Sequence, residues 1–562
     1  MPIRSTFPDL DIPNVSFAQY IADAVQQHAN ANPLKVAMVD PSRPDSSLYY
    51  ADLVPRVTKL SHALRTHLCL NQGDTIMMVL PNSIDYVLLN LAAMASGIVV
   101  SLCNPIATSV EIRRQLIDCS AKGIFVHRGT EHAAAEATEG NHTPSLRHFI
   151  VQDGHFRRTD CCHHVTDQLV AHDLAHFYHG TVLDRKIEFV GAPNDVAILP
   201  YSSGTTGAPK GVMLTHRNLL ANNMMFNENG KRLLWPYLNP PCLNISDLVD
   251  VQFLPLYHIF GFGWVYWMLR MGCTSVLMHK FDPIEYFELI QTYRPRLLAV
   301  VPPVAIALAK HPQVTSYDLT SVQLVLCGAA PLRAESELEL KQVHKNIAHV
   351  FQGWGMTELS SGATTAGIGP AGNCGLLFPS TECKAIDPDT GSELSLGECG
   401  EVCIRSPSVM KGYLNRPDAT RQSIDEHGFM HSGDVGFIDS NGFLFIVDRI
   451  KEMIKVKAYQ VAPAELEGLL LSHPDVSDSA VIGVADERSG EVPMAYVVRK
   501  NDRLTERDVH DFVNARVSAY KRLEGGVRFV STIPKSPSGK ILRKLLREQS
   551  RDRNNSVLKA RM

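Results

Sequence analysis

The run Val196-Ala197-Ile198-Leu199-Pro200-Tyr201-Ser202-Ser203-Gly204-Thr205-Thr206-Gly207-Ala208-Pro209-Lys210-Gly211-Val212-Met213-Leu214 organises the reading of this chain. Its apolar ends predict two buried strands, and the polar centre predicts the loop that joins them. Hydroxyls at Ser202, Ser203, Thr205 and Thr206, exposed backbone N–H groups at Gly204 and Gly207, and the cation of Lys210 suit a polyphosphate cradle. It is not a Walker A loop, because proline lies two residues before the segment's glycine and directly precedes Lys210, where that motif has glycine followed by Lys-Ser/Thr and a helix.

Outward from this loop, strand and helix patterns alternate from about Val36 to Ile446. Thr75 to Leu80 reads as a strand, Ser83 to Ala95 as a helix and Ile98 to Leu102 as a strand, which predicts an α/β core. Composition turns charged near Val447 to Lys455. Beyond it, Pro463 to Leu471 reads as a helix with Leu466, Leu469 and Leu470 on one face, followed by strands at Ser479 to Val484 and Met494 to Val498. The expected organisation is a large domain over residues 1–447, a hinge over 448–452 and a small α+β domain over 453–562.

Composition narrows the function classes. In 562 residues, 54 basic and 58 acidic side chains give a net charge of −4, which argues against a nucleic-acid partner. The twelve cysteines contain no Cys-x-x-Cys pair, so reduced thiols are expected rather than a disulfide framework. The apolar runs Val87 to Cys103 and Phe253 to Met271 are broken by polar residues, glycines or proline and predict no transmembrane segment. From His127 to His179 the chain is polar and histidine-rich. His172 and His176 have the spacing of two imidazoles on one helix face, but the segment reads as a solvated, loop-like excursion rather than a metal site.

Five ordered blocks resemble the acyl-adenylate-forming superfamily of acyl-CoA synthetases, luciferases and peptide-synthetase adenylation domains. They are Tyr201 to Gly211, Gln352-Gly353-Trp354-Gly355-Met356-Thr357-Glu358, His431-Ser432-Gly433-Asp434, Val447-Asp448-Arg449-Ile450-Lys451-Glu452 and Pro537-Ser538-Gly539-Lys540. Leu254-Pro255-Leu256-Tyr257-His258-Ile259 and Tyr459 to Glu467 resemble the 4-coumarate:CoA ligase-like branch. The resemblance implies an α/β fold in which a large, multi-subdomain N-terminal adenylate-forming domain carries a small, mobile α+β C-terminal domain. It also implies ATP, Mg2+ and CoA as cofactor and co-substrates.

Carboxylate and ATP are both anionic, so joining them as an acyl-adenylate requires local positive charge and oriented dipoles. The resemblance implies Lys540 as the adenylation lysine, Asp434 as acceptor from the ribose hydroxyls and Arg449 as a ribose or phosphate contact. Gln352, Gly353 and Trp354 belong to the nucleotide block; Trp354 stands where relatives usually have tyrosine, and its indole offers a face to adenine. Thr357 matches a phosphate contact and Glu358 a Mg2+ ligand. Lys451 occupies the hinge position.

For the second half-reaction the resemblance implies rotation of the small domain about the hinge, withdrawing Lys540. Lys455 matches the motif's second lysine, and Lys280 and Lys457 match positions that approach CoA. Ala458 departs from the usual glycine and adds a methyl beside the pantetheine channel. His258 matches the acid-pocket mouth. Phe260 replaces the tyrosine of hydroxycinnamate ligases, and with Gly328, Ala329, Ala330 and Gly353 as small lining residues it predicts an apolar aryl or medium-chain acid.

An acid:CoA ligase is the leading expectation. A carrier-protein-loading adenylation enzyme, a luciferase-like oxygenase and a non-catalytic nucleotide-binding protein are the alternatives. The terminal Ala560-Arg561-Met562 fits a relaxed peroxisomal address and its import receptor, with the cytosol as the other compartment considered.

Overall fold

The fold is that of a computed structural model that describes residues 2–43, 47–139, 143, 145–152, 170–177, 187–202, 209–239, 245–329, 332, 334–370, 372–387, 390–449, 454–457, 459–461, 463–486, 488–534, 543, 545–547 and 549–550. It divides into two compact units. The larger comprises Met1–Pro105, Ile112–Tyr201 and Gly211–Asp448; the smaller comprises Ile106–Glu111, Ser202–Lys210 and Arg449–Met562.

In the larger unit, an eight-stranded sheet contains a parallel set formed by Val196–Ser202, Val99–Leu102, Thr75–Val79, Gly123–His127, His148–Gln152 and Val170–Asp173. Most of these strands are short and apolar, as in a parallel sheet covered on both faces, and Val170–Asp173 is the polar exception. Ser83 caps the helix Ile84–Ala95 by accepting from Tyr86 N at 3.1 Å, which makes the expected strand–helix–strand unit. Lys210–Thr215 extends the sheet beyond Val196–Ser202, so both predicted strands flank the loop as neighbours. Thr215 and Asn218 form a reciprocal capping box that starts the helix His216–Leu233.

One part of the sequence reading is corrected. The stretch after His127 is not all loop: Glu131–Thr138 is a helix, and His148–Gln152 pairs in parallel with Val170–Asp173. His172 therefore lies in a strand and His176 in the 3-10 turn Leu174–Phe177, so the i, i+4 helix face that their spacing would allow does not form. Parallel pairing depends on distant chain, and polar composition conceals it.

A second parallel pair, Val249–Gln252 beside Thr274–Leu277, encloses the helix Ile259–Met271 in sequence. The third sheet runs Leu297–Val300, Leu324–Cys327 and His349–Met356 in parallel before turning antiparallel at Ser361–Thr365. The fourth is antiparallel and contains Glu382–Ile386, Gly400–Arg405 and Met430–Ile438. Two large apolar clusters hold these layers together. In the first, Phe17 stacks on Phe262 at 6.3 Å and meets Tyr266 edge-on at 5.6 Å. No helix among the described residues is long and apolar enough to cross a membrane.

In the smaller unit, Val476–Asp486 and Gly490–Arg499 form a long antiparallel ladder, with Ile454–Val456, Tyr459–Val461 and Val527–Phe529 completing a five-stranded sheet. The helix Pro463–Leu471 has its predicted bounds, and Leu466 and Leu470 are fully buried in this unit's own core. Among the described residues nine cysteines are free thiols, seven of them buried.

Candidate functional site

The strand His349–Met356 carries Gln352, Gly353 and Trp354. Its register against Ser361–Thr365 shifts between Trp354 and Gly355, where the pairing skips Ala363 of the facing strand. Glycine is required at 355 because a Cβ there would sit 1.9 Å from the Ser361 carbonyl oxygen. The Trp354 backbone N–H donates to Thr364 Oγ1 at 3.2 Å, and the indole Nε1–H donates to Asp434 Oδ2 at 2.9 Å. Trp354 is 8% exposed and Asp434 2%, so this bond to a carboxylate is shielded from water.

Asp434 is held from its own side as well. It lies in Met430–Ile438, and its backbone N–H donates to Ser432 Oγ at 3.1 Å. The Gly433 N–H donates to Glu401 Oε1 at 3.0 Å, while Glu401 Oε2 pairs with His431 Nδ1 at 3.0 Å. Donating to the Glu401 carboxylate raises the His431 pKa, against the opposing effect of burial. Cys403 Sγ lies 3.7 Å from the same His431 nitrogen, and burial pushes its thiol pKa up. Glu401, Cys403 and His431 could together face an ion, their ligand atoms all lying within 4.8 Å. With the histidine already committed to Glu401 and the thiol kept neutral, the cluster works as a hydrogen-bonded frame for the Ser432–Asp434 turn.

Thr357 and Glu358 begin the 3-10 turn Thr357–Leu359 directly after His349–Met356. Glu358 is 5% exposed, and its Oε1 accepts from the Tyr413 hydroxyl at 2.9 Å. Tyr413 is placed by Gly412–Tyr413, which pairs with Lys210–Thr215 through Val212. At the loop's start, Tyr201 donates to Asp118 Oδ2 at 2.8 Å, and Arg416 Nη2 donates to Asp118 Oδ1 at 3.1 Å. Tyr413, Glu401, Asp118 and Arg416 were missed by sequence reasoning. Each lies outside the motifs and reaches its partner only through tertiary structure.

Gln352 uses its amide to bracket Leu332, accepting from its N–H at 2.8 Å and donating to its carbonyl at 3.1 Å. Gly353 presses on the neighbouring strand, since a Cβ there would lie 3.1 Å from Thr364 O. Gly328 faces Phe260, whose ring carbons would lie 3.2 Å from a Cβ at 328. Ala329 is exposed and adopts a left-handed φ of 68°.

His258 caps the helix Ile259–Met271, its Nδ1 accepting from Phe260 N at 3.3 Å. In the neutral ring the proton then resides on Nε2. By surface area the residue is exposed, and desolvation by the protein around the ring lowers its imidazole pKa, an effect that water reaching the ring screens.

Trp354 with Asp434, and Phe260 with Gly328, are thus brought into contact. Lys280 is an exposed residue of the larger unit. Ser202 ends one loop-flanking strand and Lys210 begins the other. Lys455 lies in Ile454–Val456 and donates its backbone N–H to Glu491 Oε2 at 2.9 Å; Lys457 is exposed with φ 55°. Arg449 ends the strand Leu444–Arg449. Ser203, Gly204, Thr205, Thr206, Gly207, Ala330, Lys451, Ala458 and Lys540 lie outside the described residues.

The AMP-binding enzyme family model matches residues 25–414, and the AMP-binding enzyme C-terminal domain model matches residues 465–540. Over 493 residues the chain is 42% identical to 4-coumarate--CoA ligase 1 of Petroselinum crispum, covering 85% of each protein. Over 555 residues it is 39% identical to 4-coumarate--CoA ligase 1 of Solanum tuberosum, covering 97% of this chain and 96% of the relative. A solved long-chain-fatty-acid-CoA ligase from Archaeoglobus fulgidus is 27% identical with a TM-score of 0.72, covering 93% of this chain and 98% of its own.

Proposed function

Because the chain belongs to the AMP-binding enzyme family, we propose that it is an ATP-dependent, AMP-forming carboxylic acid:CoA ligase. The acid attacks the α-phosphate of ATP, giving acyl-AMP and pyrophosphate; the thiol of CoA then takes the acyl group and releases AMP. The observation that carries this reading is the bond between Trp354 and Asp434, which joins two motif residues 80 positions apart at one buried point.

In this reading Asp434 accepts from the ribose hydroxyls, a task suited to a carboxylate because it offers only acceptors. Trp354 supplies an apolar face for the base, and Gln352 and Gly353 shape the strand that presents it. Phosphates fall to the loop from Ser202 to Lys210, to Thr357 and to Arg449. The buried carboxylate of Glu358 next to Thr357 fits the hard-oxygen donor that Mg2+ prefers, and the bound ion would neutralise phosphate charge. A neutral His258 with its proton on Nε2 can donate to the acid's carboxylate, while Phe260 beside Gly328 makes the pocket apolar. That combination favours an aryl or medium-chain acid.

Lys540 is assigned to the adenylation step. Lys455 is assigned to the thioester-forming step, with Lys280, Lys457 and Ala458 along the CoA approach and Lys451 at the hinge between domains of residues 1–447 and 453–562. Import into the peroxisome through Ala560-Arg561-Met562 completes the reading; a fluorescent fusion lacking the final tripeptide tests it by losing organelle targeting.

The test of the activity is ATP–pyrophosphate exchange over a panel of aryl and alkyl acids, repeated with CoA to detect thioester. Exchange and thioester formation are expected for at least one apolar acid. Lys540→Ala is expected to abolish exchange, and Lys455→Ala to spare exchange while losing thioester. Exchange without thioester would redirect the acyl group to a carrier protein or to oxygen, and no exchange with any acid would indicate nucleotide binding alone.

A further inference from the structure

Beyond offering a face to the base, Trp354 has a hydrogen-bond donor trained on the carboxylate that this reading places at the ribose. We infer that Trp354 is a positioning residue: its indole N–H sets the rotation of the Asp434 carboxylate and thereby selects nucleotides that carry both ribose hydroxyls. This rests on the adenylation reading above, in which Asp434 meets the ribose.

Three observations support it. The bond has an ordinary N–H···O length of 2.9 Å and links two side chains nearly withdrawn from solvent, so water cannot replace the donor when it is lost. Both partners are anchored independently of the bond. Trp354 is fixed by Thr364 Oγ1, which itself donates to the Cys374 carbonyl at 2.6 Å; Asp434 is fixed through Ser432 and the Glu401-bound Gly433. Beside Trp354 the register against Ser361–Thr365 skips Ala363, and a Cβ at Gly355 would lie 1.9 Å from the Ser361 carbonyl oxygen, so the strand that carries the indole is closely packed there.

A carboxylate at the end of a side chain turns freely about its last torsion unless one oxygen is held. With Oδ2 engaged by the indole, the plane of the group is defined and so are the directions from which hydroxyls can donate. A ribose lacking one hydroxyl then leaves an acceptor direction unfilled in a buried site, which costs binding. Without the indole N–H, the carboxylate can turn towards whichever hydroxyl remains, and the penalty shrinks.

The experiment compares ATP with 2′-deoxy-ATP and 3′-deoxy-ATP in pyrophosphate exchange, using wild-type protein, Trp354→Phe, Trp354→Tyr and Asp434→Ala. Phenylalanine keeps an aromatic face and deletes the donor. The wild-type preference for ATP in kcat/KM is expected to fall by about tenfold or more in Trp354→Phe. Trp354→Tyr, which restores a donor, is expected to recover part of it. An equal loss for all three nucleotides, leaving the ratios unchanged, would reduce Trp354 to a stacking or packing role and overturn the inference.

Asp434→Ala separates the inference from its premise. If its ratios match those of the wild type, the ribose assignment of Asp434 fails. If they collapse in Asp434→Ala alone, the positioning role of Trp354 fails. Should Trp354→Phe not fold, NMR of indole-labelled protein decides, since the chain has only four tryptophans. One indole N–H resonance is expected to move on Asp434→Asn, and no movement would overturn the inference.

Discussion

The Tyr413 hydroxyl donates to Glu358 Oε1 at 2.9 Å, inside the larger unit, tying the residue read as a Mg2+ ligand to the two-residue strand beside the loop. Tyr413→Phe keeps the ring and deletes this donor. Its kcat/KM for ATP is expected to fall about tenfold, with a higher Mg2+ concentration needed for half-maximal exchange. Pyrophosphate exchange at graded Mg2+ measures both. An unchanged Mg2+ dependence would separate Tyr413 from the chemistry of Glu358.

Gly328→Ala places a methyl 3.2 Å from the Phe260 ring carbons, tighter than comfortable packing. Activity with bulky aryl acids is expected to drop more than activity with straight-chain acids, and Phe260→Leu in the same protein should restore part of the difference. Relative kcat/KM over the acid panel reads the outcome. A uniform loss would mean that the contact is structural and does not shape the pocket.

Asp250 lies 1% exposed, its Oδ2 has no hydrogen-bond partner, and burial raises its pKa from 3.8 to about 7. The Trp264 indole opposes the shift without completing a hydrogen bond. A carboxyl with a raised folded-state pKa stabilises least at high pH: its contribution is most favourable below about 4 and declines as pH rises to about 7. Asp250→Asn is expected to gain roughly 1–4 kcal/mol at pH 8 and little at pH 4. Urea unfolding at the two pH values measures the difference.

His431 carries the opposite kind of linkage. Its pKa is raised above 6.5 by Glu401, with Asp425 adding and Lys384 opposing. Stability from this pair is fully present below 6.5 and is lost as pH rises through the folded-state value. Glu401→Gln is expected to flatten that decline in thermal midpoint and, by loosening the Gly433 turn, to raise the KM for ATP. A wild-type midpoint that does not decline over this range would count against the pairing.

The legible parts of the fold were those written locally. The strands around the loop announce themselves by apolar runs, the helix after Ser83 by its cap, and Pro463–Leu471 by its starting proline and leucine spacing. Val170–Asp173 did not, because its pairing with His148–Gln152 is made by remote chain and its histidines read as solvent-loving. In the site, motif spelling selected Trp354, Glu358 and Asp434 one by one. That the Trp354 indole would meet the Asp434 carboxylate depends on how strands of two different sheets come together, which leaves no mark in composition. Tyr413 and Glu401 were hidden for a related reason: they support motif residues that are distant in sequence, without belonging to a motif.

The imidazole of His258 both opens a helix and stands at the expected pocket mouth. An alanine at 258 therefore confounds two phenotypes, fraying the first turn that carries Phe260 while removing the ring. Pocket libraries at this position are best built on Asn, Ser or Asp, which preserve the helix start, so that a change in acid preference reports on recognition and not on a misplaced wall.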